Sequence, residues 1–103
     1  MNQSLPPDLQ RSIQQSLQEI ASQMGKSLDE VAAERLCRDA QDLLNHISYE
    51  PLTLARVAGA LLVYRVQDTE LEELEWFRSQ VQQCPSDEEV EELIESIHRA
   101  DAL

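Results

Sequence analysis

This chain has few places at which it can turn sharply. Its 103 residues contain two glycines, Gly25 and Gly59, and four prolines. A sandwich or barrel of short strands needs a turn about every 8–12 residues, and such turns draw heavily on glycine and proline. Their scarcity predicts a few longish helices instead. The spacing of apolar residues agrees. Leu9, Ile13, Leu17, Ile20 and Met24 fall at the three- and four-residue steps that place side chains on one face of a helix. This predicts a first helix from Pro6 or Pro7 to Met24. Proline is tolerated in a first turn, where its missing N–H would be unpaired anyway. Gly25 then ends the helix, as a residue able to adopt the left-handed conformation.

A second helix is expected from Ser27, because Ser27 and Glu30 match the capping box, in which the two side chains reciprocally satisfy free N–H groups. Leu28, Val31, Ala32, Leu36, Ala40, Leu43, Leu44 and Ile47 are its expected buried side, and its end is placed near His46. Pro51 disfavours helical backbone at Glu50. The next segment, Thr53 to about Gln67, carries Leu54, Val57, Ala58, Leu61, Leu62, Val63, Tyr64 and Val66. These cover more than one face, which predicts a central helix packed on several sides. The β-branched and aromatic residues of "LLVYRV" also suit a strand, but no second strand is evident to pair with it.

The stretch "DTELEELEWFRSQVQQ" predicts a fourth helix or a continuation of the third, with Thr69 and Glu72 as a second capping box. "CPS" interrupts it. Ser86 and Glu89 then open a fifth helix, with Val90, Leu93, Ile94 and Ile97 at helical spacing. The fold class expected is all-α: one domain over residues 1–103, a compact bundle of four or five short helices. The long apolar stripe of the first helix and the surplus apolar faces of the third also suggest a homodimer.

The formal net charge is −12, and two thirds of it lies in residues 51–103, where twelve acids face four bases. With Lys26 as the single lysine, there is no basic cluster for phosphate contacts, so direct nucleic-acid binding is not expected. Anionic membranes are disfavoured for the same reason. The longest apolar run, "VAGALLVY", is too short to span a bilayer. No signal-peptide pattern is evident in "MNQSLPPDLQ", so a cytoplasmic location is the expectation. Cys37 and Cys84 form neither a disulfide framework nor a C-x-x-C pair. Cys37 reads as a small core residue and Cys84 as the more accessible of the two.

Within "LPPDLQRSIQQSLQEIASQMGKSLDEVAAERL", the pieces Leu5-Pro6, Ala21, Gly25-Lys26-Ser27 and Glu30 resemble the two helices of ribbon-helix-helix regulators, a family that includes many antitoxins. The resemblance covers about a third of the chain. That family reads DNA with a strand before its first helix. Here that position holds "MNQSL", without a basic residue, and the first helix is about one turn longer. DNA binding is therefore not carried over.

No catalytic, cofactor or metal site is expected. No serine has the glycine-flanked elbow of a hydrolase nucleophile. Glu95 and His98 have the spacing used in di-iron bundles, which also require a second such pair and further carboxylates. His46 has no matching glutamate. The candidate site is a surface for a protein partner, with charge favouring a basic one. It comprises Trp76 and Phe77 from "EWF" with Glu72, Glu73, Glu88, Glu91, Glu92 and Glu95. Adjacent residues point about 100° apart on a helix, so one of the two aromatics is expected to be exposed as an anchor. The function expected is a non-enzymatic interaction module: an adaptor, assembly factor or regulator. The alternative is an acidic, nucleic-acid-mimicking or antitoxin-like inhibitor of a basic protein, with a metal-dependent helical enzyme third.

Overall fold

The structure, a computed structural model, describes residues 6–66 and 71–102, with the side chains of residues 98–102 outside the description. It contains five helices and, among the described residues, no strand: α1 (Pro7–Gln23), α2 (Glu30–Leu43), α3 (Pro51–Val66), α4 (Leu71–Gln83) and α5 (Asp87–Ala102). The third helix is described to Val66 and the fourth from Leu71, and "LLVYRV" is helical throughout. Thr69, the expected cap of α4, lies outside the described residues, as does the "MNQSL" segment.

Proline opens α1 at its first position, and the Pro6 carbonyl accepts from the Gln10 N–H at 3.1 Å. The other end closes on Gly25 at φ 77°. The Gly25 N–H bonds the Ser22 carbonyl at 3.0 Å and the Lys26 N–H bonds the Ala21 carbonyl at 2.8 Å. This is the paired closure of a Schellman motif, and it satisfies carbonyls that the last turn would leave open.

The start of α2 corrects the sequence reading. Asp29, not Ser27, is the cap: its carboxylate accepts from the Ala32 N–H at 2.7 Å. Leu28 packs partly buried against the core, and its carbonyl accepts from Gln18 Nε2 at 3.2 Å. Held this way, residues 26–29 stay outside the helix. A carboxylate also complements the positive end of the helix better than a hydroxyl does. The buried line of α2 is Ala33, Leu36, Cys37, Ala40 and Leu43, which puts Val31 on the opposite side, 61% exposed.

α3 begins at Pro51, two residues before the expected start, with proline again at a first helical position. As expected, it is packed on several sides, against α1, α2 and α5. Leu54, Val57, Ala58, Leu61 and Leu62 are buried. Ile13, Leu17 and Ala21 reach this core from α1, Phe77 and Val81 from α4, and Val90 and Ile94 from α5. Leu9, at the start of the expected stripe, is 39% exposed. The Tyr64 and Phe77 rings meet with centroids 5.3 Å apart, tilted by 48°. The radius of gyration, 13.1 Å, is that of a compact globule of this size. Of the apolar faces that suggested a homodimer, Ile13, Leu17 and Ala21 of α1 and Leu54, Val57, Ala58, Leu61 and Leu62 of α3 are buried within one chain, while Leu9 of α1 and Leu52 of α3 stay exposed.

Candidate functional site

The expected partner-binding residues lie on α4 and α5, helices that contact each other. The core side of α4 is set by Phe77 and Val81, with Leu74 partly buried beside them. One residue before Phe77 in the chain, Trp76 is turned about 100° away and is 50% exposed. Phe77 is 0% exposed, so it offers no surface to a partner. The expected pair therefore divides into a core residue and a surface residue, and the docking surface loses Phe77.

Glu72 and Glu73 sit exposed in the first turn of α4, where carboxylates favour the helix dipole. Glu72 is four residues before Trp76 and Glu73 three, the spacings at which helical side chains are neighbours. On α5, Ser86 caps the first turn, its Oγ accepting from the Glu89 N–H at 3.4 Å. With Val90 and Ile94 buried, Glu88, Glu92 and Glu95 fall on the outward side and are exposed. Glu91 stands apart. It is half-buried, and its Oε1 accepts from Thr53 Oγ1 at 3.4 Å. Thr53 is fully buried, so this bond satisfies a polar group that would otherwise be costly. Glu91 thus helps join α5 to α3.

The Glu95–His98 pair is only half described, because the His98 side chain lies outside the description. Among the described residues, no group of three His, Cys, Asp or Glu side chains is placed to hold a metal ion. His46, at the end of the α2 turn, donates from Nε2 to the Cys84 carbonyl at 2.9 Å. This bond fastens the α2–α3 connection to the α4–α5 connection. No sequence pattern announced it, since the partner is a backbone group 38 residues away.

Cys84 is half-buried, with its Sγ donating to the Gln80 carbonyl at 3.2 Å. Burial, with Glu89 nearby, pushes its thiol up. Cys37 is fully inside the core, where burial, with Glu34 adding to it, pushes the thiol up to about 11. Neither sulfur is in the low-pKa environment of a nucleophilic cysteine. Asp87 Oδ1 is buried without a hydrogen-bond partner among the described residues. It stands at the first position of α5, where the helix dipole offsets part of that cost.

No family model, curated protein or solved structure matches this chain. Any functional reading therefore rests on its own residues. No helix among the described residues is long and apolar enough to cross a membrane.

Proposed function

We propose that this protein is a non-enzymatic interaction module, an adaptor, assembly factor or regulator that receives a basic protein partner on the outer sides of α4 and α5. The observation that carries the reading is Trp76, half exposed on a helix whose neighbouring surface residues include Glu72 and Glu73. An indole left in contact with water forgoes burial free energy, and tryptophan is among the residues that most often anchor interfaces. The exposed carboxylates of α4 and α5 add charge complementarity, which speeds encounter with a basic partner and disfavours acidic ones. A partner helix or extended segment laid along α4 would meet the indole first and the carboxylates at its rim.

A second reading, an acidic inhibitor occupying the nucleic-acid site of a basic protein, is supported by Glu88, Glu92 and Glu95. These three repeat along one side of α5 with no lysine or arginine between them. The two readings separate in one experiment. The purified chain is used to capture partners from extract of its own cells, and the complex is then challenged with salt and with DNA or RNA. An adaptor complex resists nucleic-acid competition and is lost with Trp76→Ala. A mimic complex is displaced by nucleic acid and dissolves steeply with salt. A captured complex indifferent to Trp76→Ala and to neutralisation of the α4 and α5 carboxylates would count against both.

A further inference from the structure

We infer that the turn of α4 holding Glu72, Glu73 and Trp76 is a receptor for an arginine side chain of the partner, with the guanidinium stacked on the indole and bonded to the carboxylates. This rests on the reading of α4 as a docking face and names the chemistry that face selects.

Trp76 is the chain's single tryptophan and makes no ring–ring or cation–ring contact with any described residue. Half of it is open to solvent, although an indole is the aromatic that attracts cations most strongly. Side chains on a helix lean toward its N-terminus and cover the preceding turn. For Trp76 that turn contains Glu72 and Glu73. Neither carboxylate has an ion pair among the described residues. The helix's own cation, Arg78, is two residues on and therefore about 160° around the helix from Trp76. One turn thus presents a π-face and two carboxylates with no ion pair among the described residues, and no cation of its own element is within reach.

The charge of the chain selects among occupants. A second copy would bring Glu72 and Glu73 toward their own equivalents, on a body of net charge −12. An anionic lipid surface or a nucleic acid is repelled in the same way. A basic segment is attracted. Between the two basic side chains, arginine fits better: its planar guanidinium stacks on an indole while its edge donates a pair of hydrogen bonds to a carboxylate. A lysine ammonium is a compact, strongly hydrated point charge and makes one of these contacts at a time.

The test uses the full chain with labelled hexa-arginine and hexa-lysine as probes at matched ionic strength. Peptide anisotropy reports affinity, and Trp76 fluorescence reports location. Hexa-arginine is expected to bind about two- to fivefold more tightly than hexa-lysine, the scale of an exposed cation–π contact, and to change the Trp76 emission saturably. Trp76→Ala should remove the arginine preference, and Trp76→Phe should keep part of it. Glu72→Gln with Glu73→Gln should weaken the arginine peptide and quench its effect on Trp76. Glu88→Gln with Glu92→Gln should weaken both peptides alike and leave their ratio unchanged.

Equal affinity for the two peptides, or an arginine preference that survives Trp76→Ala, overturns the arginine receptor while leaving the acidic docking surface in place. Failure of both peptides to bind at low ionic strength overturns the receptor and the basic-partner reading together. Concentration-dependent self-association that Trp76→Ala abolishes would identify a second copy as the occupant and overturn the proposal.

Discussion

Gly25 and Asp29 show how single residues decide where helices stop and start. Gly25 holds φ at 77°, a conformation that costs a residue with a Cβ roughly 1–2 kcal/mol. Nothing lies within 4 Å of where a Cβ would project, so the penalty of a substitution there is backbone strain and not collision. Gly25→Ala is therefore expected to lower stability by about 1 kcal/mol, and Gly25→Asn by less, because asparagine tolerates the left-handed region. Urea unfolding of the two variants checks the order. At Asp29, loss of the carboxylate removes the bond to the Ala32 N–H, and Asp29→Ala should cost about 1 kcal/mol. Ser27→Ala should be close to neutral. A loss on Ser27→Ala larger than that on Asp29→Ala would refute the assignment of the cap to Asp29.

At the scale of the element, α5 carries more like charge than its local structure favours. Glu88 and Glu92 are four residues apart, as are Glu91 and Glu95, and Glu92 lies three residues from both Glu89 and Glu95. Like charges at these spacings destabilise a helix by about 0.2–0.5 kcal/mol per pair. Tertiary burial of Val90 and Ile94 holds the helix against this repulsion. Glu92→Lys removes the three repulsive pairs with Glu88, Glu89 and Glu95 and should raise the melting temperature by an amount equivalent to about 0.6–1.5 kcal/mol. The same change should weaken a basic partner. A variant more stable yet weaker in binding would mark the carboxylates as serving an interaction. Raised stability with unchanged binding would leave them as a solvated face.

The whole molecule adds a pH dependence that no single helix has. Cys37, Cys84 and Tyr49 all have their acid groups pushed above the ordinary value by burial. Each holds its proton more tightly when folded than when unfolded. Their contribution is fully present at neutral pH. It begins to be lost as pH climbs past about 9, where unfolded thiols ionise, and continues to fall up to about 11, where Cys37 ionises in place. Unfolding midpoints in urea should decline through that window, and Cys37→Ala should flatten part of the decline. An unchanged alkaline slope in that variant would refute the burial account of the thiol.

Much of this architecture was legible in the sequence because it depends on neighbours within a turn or two. The stripe through Ile13 and Leu17, the glycine after α1, the prolines that open α1 and α3 and the break at Cys84-Pro85-Ser86 are local signals, and each element they predict is present. The all-α class and the acidic character follow from the same short-range information. Packing decided the rest. The contact of Leu28 with the core and the bond from Gln18 hold residues 26–29 outside α2 and move its cap to Asp29. The approach of α4 to the core, with Phe77 against Tyr64, chose which of two adjacent aromatics is buried and left Trp76 outside. Thr53 drew Glu91 out of the acidic surface and into a helix–helix contact, and His46 found a backbone carbonyl on a distant loop. Such choices depend on groups far apart in the chain, brought together only when the core closes, so periodicity and spacing alone do not reveal them.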